Sequence, residues 1–158
     1  IVGSNAVNIM EKIRACPVFA IPVNARFKEP NEIVFPTSFR THYKLKELET
    51  LVKIAKLTNA PIRILHIQNT KSLTPAQKDN KTLLESILAP SDFTHHRLYD
   101  MDVNDGVRSF VQSRESEMIA FVNKKHNFFG SIFTNPMVRE LGMYTKVPLL
   151  AMHESKNK

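Results

Sequence analysis

Four apolar runs, EIVFPT (32–37), PIRILHI (61–67), EMIAFV (117–122) and VPLLAM (147–152), and one weaker run, FTHHRLY (93–99), are separated by helical patterns. This alternation restricts the fold more than any other feature of the chain. After its glutamate, EMIAFV is continuously apolar, the mark of a strand buried on both faces. Leu45, Leu48, Val52 and Ala55 recur at helical spacing and place one apolar face on a helix of about four turns. Thr74-Pro75 supplies a cap and then a proline at the first helical position for a helix that runs to Leu88. Asn104 or Asp105 caps a third helix carrying Val107, Phe110 and Val111, and Asn135-Pro136 repeats the device of cap followed by proline. Strands alternating with helices imply βαβ units. The expected architecture is a doubly wound, open α/β fold with a mainly parallel, five-stranded sheet and helices on both faces. The weakly hydrophobic FTHHRLY is expected at an edge.

The chain also echoes itself. GSNAVNIMEKIRACPVFAIP (3–22) and TNPMVRELGMYTKVPLLAMH (134–153) each read as a helix, a short basic link, a proline and an apolar strand. Aligning Pro17 with Pro148 gives an offset of 131 residues (148 − 17), and the same register matches Val7 with Val138, Met10 with Leu141 and Ala20 with Ala151. An offset of that size is a domain length, not a solenoid repeat. Residues 1–22 therefore read as the last helix and strand of a preceding domain. Residues 23–31, polar and without periodicity, read as a linker. A complete second domain spans 32–153, followed by a tail at 154–158. A helix and strand taken from another domain need a partner to be stable. Pro17 to Ile21 is accordingly expected to pair antiparallel with Leu149 to Met152. Equal partners would form a pseudo-two-fold contact, either between the two domains of the chain or with a homodimer partner.

Composition adds boundaries. A chain of 158 residues, 42% apolar and 23% charged, can bury the core of one ordinary domain. No apolar run approaches the eighteen or so residues of a membrane span, so no membrane partner is expected. A lone cysteine, Cys16, cannot form an internal disulfide, which fits a reducing compartment and makes cytoplasm the expected location. The formal charge of +7 is spread along the sequence. Its largest local group, Lys44, Lys46, Lys53 and Lys56, alternates with Glu47 and Glu49 on what reads as the solvent side of a helix. With no accompanying motif, nucleic acid is not expected as a partner.

IVFPTSF, the helix of Leu45 to Ala55, APIRILHI, EMIAFV and the two endings of helix, proline and strand together resemble the universal stress protein family over nearly the entire chain. The remnant at 1–22 resembles the tandem members in which two such domains share one chain. NKKHNFF (123–129) is similar to second domains of tandem members from Bacteroidetes-like bacteria. ATP-binding members carry Gly-x2-Gly-x9-Gly-Ser/Thr after the fourth strand, where glycines admit the triphosphate and amides at the next helix start hold it. Carried onto this sequence, the first glycine falls at Phe121 or Val122, the second at Lys124 or Lys125, and the third at Thr134 or Asn135. The aspartate of the first-strand loop, following Thr37, corresponds to Ser38. Gly3-Ser4 keeps the last element of the motif, in the remnant of the preceding domain. The resemblance thus implies a degenerate nucleotide site, with Thr37, Ser38, Lys124, Lys125, Thr134 and Asn135 lining a vestigial pocket. Lys124 and Lys125 keep an anion in play, since they would neutralise a phosphate that glycine amides no longer cradle.

Other reactive residue types point to bland roles. His95 and His96 are adjacent in a strand, so they face opposite sides and cannot chelate one ion together; no metal site is expected. His66, at a strand end, reads as a hydrogen-bonded structural residue. His126 has no orienting carboxylate nearby in sequence, and Gly130-Ser131 lacks the turn of a nucleophilic serine. Cys16 is expected to pack as a small buried hydrophobe. Phe128, Phe129 and Phe133 read as a plug over the nucleotide position. The expectation is a non-enzymatic domain, the dimerisation or regulatory half of a tandem stress-response protein. No cofactor is expected in this segment, and ATP only in the intact tandem protein. The alternative is a module for adenine nucleotides or other anionic ligands with an altered pocket.

Overall fold

The computed structural model describes residues 4–26, 28–68, 72–124 and 146–154. In chain order the elements are α1 (Ser4–Lys12), β1 (Val18–Ala20), β2 (Ile33–Pro36), α2 (Leu45–Thr58), β3 (Ile62–Gln68), α3 (Pro75–Leu88), β4 (Phe93–Tyr99), α4 (Val103–Arg114), β5 (Met118–Asn123) and β6 (Leu149–His153). Among the described residues one sheet of six strands has the order β1-β6-β5-β2-β3-β4. Its pairs β2/β3, β3/β4, β2/β5 and β5/β6 are parallel. The fold is therefore the doubly wound α/β architecture expected from the alternation.

Strand β1 joins this sheet, which makes it one strand wider than the domain of 32–153 alone. It runs antiparallel to β6, with Val18 opposite Ala151, Phe19 opposite Leu150 and Ala20 opposite Leu149. The middle pair, Phe19 and Leu150, is also the pair matched by the internal echo (19 + 131 = 150). A local two-fold relation thus passes through the centre of the contact.

Alternation along the strands divides the core in two. Ile33, Phe35, Ile62, Ile64, Ala120, Val122, Leu150 and Met152 face α2 and α3. Val34, Leu65, Ile67, Ile119, Phe121, Leu149 and Ala151 face α1 and α4, meeting Val7, Met10, Val107 and Phe110. The four strands β2, β3, β5 and β6 lie in the sheet interior and are almost wholly buried, whereas edge strand β4 is mostly half-exposed, as its composition predicts.

Helix starts follow local chemistry. Thr74 accepts a hydrogen bond from Gln77 N and Pro75 is the first residue of α3. For α4 the cap is Asp102, two residues before the expected Asn104, because its carboxylate reaches the amides of both Asn104 and Asp105. In α2 the buried face is Leu48, Leu51 and Ala55, while Leu45 is exposed. Cys16 is exposed as well, against expectation, since it lies in the bend between α1 and β1 and not in the strand itself.

At the amino ends of the strands, Glu32 collects Arg63 Nε (2.8 Å), Arg114 Nε (2.9 Å) and the Ser116 hydroxyl. These partners outweigh the effect of burial and hold its carboxyl well down, at about 2. Glu117 accepts from Lys28 Nζ (2.6 Å), Asn31 N (2.9 Å) and Asn31 Nδ2 (3.0 Å). The last part of the segment read as a linker is therefore fastened to the start of β5.

Candidate functional site

Because the strand order runs from β2 to β3 and β4 on one side and to β5 and β6 on the other, the chain reverses direction between β2 and β5. In open α/β sheets a ligand crevice forms at this reversal, outside the carboxyl ends of the strands. Here the crevice is flanked by the loop after β2 and by the chain leaving β5. Thr37, Ser38 and Lys124 lie at this place. Lys125, Thr134, Asn135 and Gly3 fall outside the described residues, as do His126, Gly130, Ser131, Phe128, Phe129 and Phe133; Ser4 opens α1.

Thr37 is completely buried and fully engaged. Its amide donates to Leu65 O (2.8 Å), its carbonyl accepts from His66 Nδ1 (2.8 Å), and its hydroxyl oxygen accepts from Phe39 N (3.0 Å) while lying 3.1 Å from the Tyr43 hydroxyl. The other ring nitrogen, Nε2, lies 2.7 Å from Gln68 Oε1, so both ring nitrogens are engaged. His66 is thus the hydrogen-bonded structural residue that its position suggested.

Ser38 and Phe39 form the loop where the resemblance places a nucleoside. Gln77 Nε2 donates to Ser38 O (2.8 Å), and Asn80 Nδ2 donates to Phe39 O (2.8 Å), so two side chains of α3 fix the loop carbonyls. Phe39 adopts a left-handed backbone (φ 56°) that costs a non-glycine residue about 1–2 kcal/mol. Its buried ring offsets that cost, packing 4.9 Å from the His66 ring, centre to centre. The ring occupies the space beside the carboxyl end of β3.

Lys124 crosses the crevice. Its ammonium donates to Glu47 Oε2 (2.7 Å) and to His42 O (3.0 Å) and stands 5.4 Å from the centre of the Tyr43 ring. Both partners of the pair are dry, with side-chain exposures of 8% for Lys124 and 0% for Glu47. Glu47 Oε2 also accepts from Lys44 N (3.1 Å) at the start of α2. Burial pushes the Tyr43 phenol up, so it remains a neutral donor or acceptor beside Thr37.

This geometry changes what Lys124 can do. A phosphate arriving here would have to draw the ammonium from a buried carboxylate 2.7 Å away. Breaking a buried pair in this way costs about 3–5 kcal/mol. In this structure Lys124, considered above as a neutraliser of phosphate, is an internal counter-ion of Glu47. Glu47, read from the sequence as part of a solvated charge run, is its buried partner. Sequence reasoning missed Glu47, Tyr43, Gln77 and Asn80. One signal was present for Glu47, which stands at the third helical position of α2, next to the buried-face residue Leu48, where a carboxylate serves free helix amides.

The histidines behave as alternation requires. His95 meets Glu85 (2.7 Å) on the α3 side, and His96 packs against Phe110 of α4 on the other. Among the described residues no group of three or more histidine, cysteine, aspartate or glutamate side chains is arranged to hold a metal ion.

Neither a protein-family model nor a curated protein matches the sequence. Solved structures do. The chain is similar to a universal stress protein from Archaeoglobus fulgidus in complex with dAMP, at TM-score 0.59 and 13% identity, over 79% of this chain and 99% of that one. It is similar to a universal stress protein in complex with cAMP, at TM-score 0.59 and 14% identity, over 81% of this chain and 100% of that one. A universal stress protein from Archaeoglobus fulgidus DSM 4304 matches 97% of this chain over 55% of its own length, at TM-score 0.64 and 11% identity. Strand order, the crevice at the β2/β5 reversal and these likenesses lead to one conclusion, that this chain has the universal stress protein fold.

Proposed function

We propose that this chain is the second half of a tandem stress-response protein, a non-enzymatic, cytoplasmic regulatory or dimerisation domain whose nucleotide crevice is closed by its own side chains. The observation that carries the reading is the buried Lys124–Glu47 pair across the β2/β5 crevice. The fixed Ser38-Phe39 loop supports it from the other side. Where ATP-binding members of the family use glycines and an aspartate, this chain has bulky or neutral residues.

The tandem arrangement is supported by the internal echo and by the two-fold relation centred on Phe19 and Leu150. It is further supported by coverage. Structures matched over 99–100% of their own length cover 79–81% of this chain, and the domain of 32–153 makes up 122 of 158 residues, or 77%. The match that takes in 97% of this chain is to a longer protein. Among the described residues no helix is long and apolar enough to cross a membrane.

A second reading, an adenine-nucleotide or other anion-binding module with an altered pocket, is favoured by two similar structures being complexes with dAMP and cAMP. Calorimetric titration of the 158-residue chain with ATP and cAMP separates the two. Under the first reading neither nucleotide binds, and ATP binds only when a preceding domain is present. Saturable binding to the 158-residue chain that Lys124→Met alters would establish the second.

A further inference from the structure

The α1 face of β5 and β6 ends in two polar residues in register, Asn123 and His153. Both are buried, with 1% and 8% of their surface exposed. Asn123 fastens the α1–β1 segment twice. Its Nδ2 donates to Met10 O (3.2 Å), and its carbonyl accepts from Arg14 Nη1 (2.7 Å). His153, at the same junction, has no hydrogen-bond partner on either ring nitrogen among the described residues, and Asn123 Oδ1 likewise has none. Buried polar groups are almost always paired, so an unpaired imidazole here calls for an explanation.

Charge supplies one. The elements around the ring carry Glu11, Lys12 and Arg14 on and after α1, Lys124 after β5 and Glu154 after β6. Of these, Arg14 is the group whose charge bears on His153. Lys124 points to the opposite face and is neutralised by Glu47. A neutral ring is tolerated at this junction. An imidazolium would be a buried cation beside the half-buried guanidinium of Arg14.

We infer that His153 is an acid-sensitive latch: neutral, it lets α1 and β1 close over the ends of β5 and β6; protonated, it favours their release, which bares the β6 edge. Burial first, and Arg14 second, hold the ring down to about 4 from its ordinary 6.5. Once the segment is released the ring is wetted and titrates at its ordinary value. Protons therefore favour release, by about 30-fold between pH 7.5 and pH 5.

Hydrogen exchange on the 158-residue chain tests this, with protection in β1 and β3 measured at both pH values and corrected for intrinsic exchange. Protection of Val18–Ala20 is expected to fall about 30-fold while β3 is unchanged, and His153→Leu should abolish the fall. An equal fall in His153→Leu, a simultaneous fall in β3, or no fall in the parent chain overturns the inference. NMR titration of the His153 ring in the parent chain is a second test, independent of whether the leucine variant folds. A midpoint near the ordinary value refutes the latch, and one well below it, rising in Arg14→Gln, supports it.

Discussion

Lys124→Met is the substitution that most directly tests the closed crevice. Methionine keeps the length of the stem and removes the charge, so the variant isolates the loss of the ammonium. Glu47, with a side chain 0% exposed, then loses the ammonium 2.7 Å from its Oε2 while keeping its bond from the amide of Lys44. The expected loss is about 3–5 kcal/mol, about a fifth or more of the stability of an ordinary domain. With a urea dependence of about 2 kcal/mol per molar, the unfolding midpoint should fall by roughly 2 M. Adding Glu47→Gln removes the stranded charge while keeping an acceptor for Lys44 N, and the double variant should return to within about 1.5 kcal/mol of the parent. Urea unfolding followed by far-ultraviolet circular dichroism of the four proteins closes the cycle. A cost below about 1 kcal/mol for Lys124→Met, with no coupling to Glu47→Gln, is what a solvated pair would give. That result would refute the closed crevice, because a hydrated ammonium would be available to a phosphate.

Three further outcomes are expected. Glu32→Gln loses the charge that holds Arg63 and Arg114, and in the parent the carboxyl lies at about 2 against an ordinary 4.5. Its contribution, at most about 3 kcal/mol, is fully present above pH 4.5 and is lost as pH falls from there through 2, so the gap between parent and variant in urea melts should narrow over that window. Phe39→Ala empties the space beside His66 and should cost about 3 kcal/mol, and Phe39→Gly should cost less than Phe39→Ala because glycine accepts φ 56° without strain. Gly106→Ala places a Cβ 2.6 Å from Ile67 Cδ1 and 3.1 Å from Met101 Sδ, so packing strain of about 1–3 kcal/mol should cancel or exceed the helix-propensity gain in thermal melts.

Much of the architecture was legible because it depends on short-range pattern. The unbroken apolar run of β5 announces burial on both faces, Thr74-Pro75 announces a helix start, and the weak hydrophobicity of β4 announces an edge. Proline spacing and the echo pointed to the β1/β6 contact, since like sequences offer like surfaces. Where the expectation differed from the structure, the local signal was ambiguous. Asp102, Asn104 and Asp105 all can cap, and only the backbone path selects the first. Cys16 belongs to a strand by composition, but the bend that turns α1 into β1 lifts it into solvent.

The sequence by itself determined the order of strands and helices along the chain and most of the faces they bury. Only the tertiary structure decided what became of the charges. Lys124 and Glu47 are 77 residues apart, His153 and Arg14 are 139 apart (153 − 14), and no periodicity connects such pairs. Whether an ammonium meets a phosphate, water or a buried carboxylate depends on distances of a few ångströms that chain topology sets and local sequence does not encode.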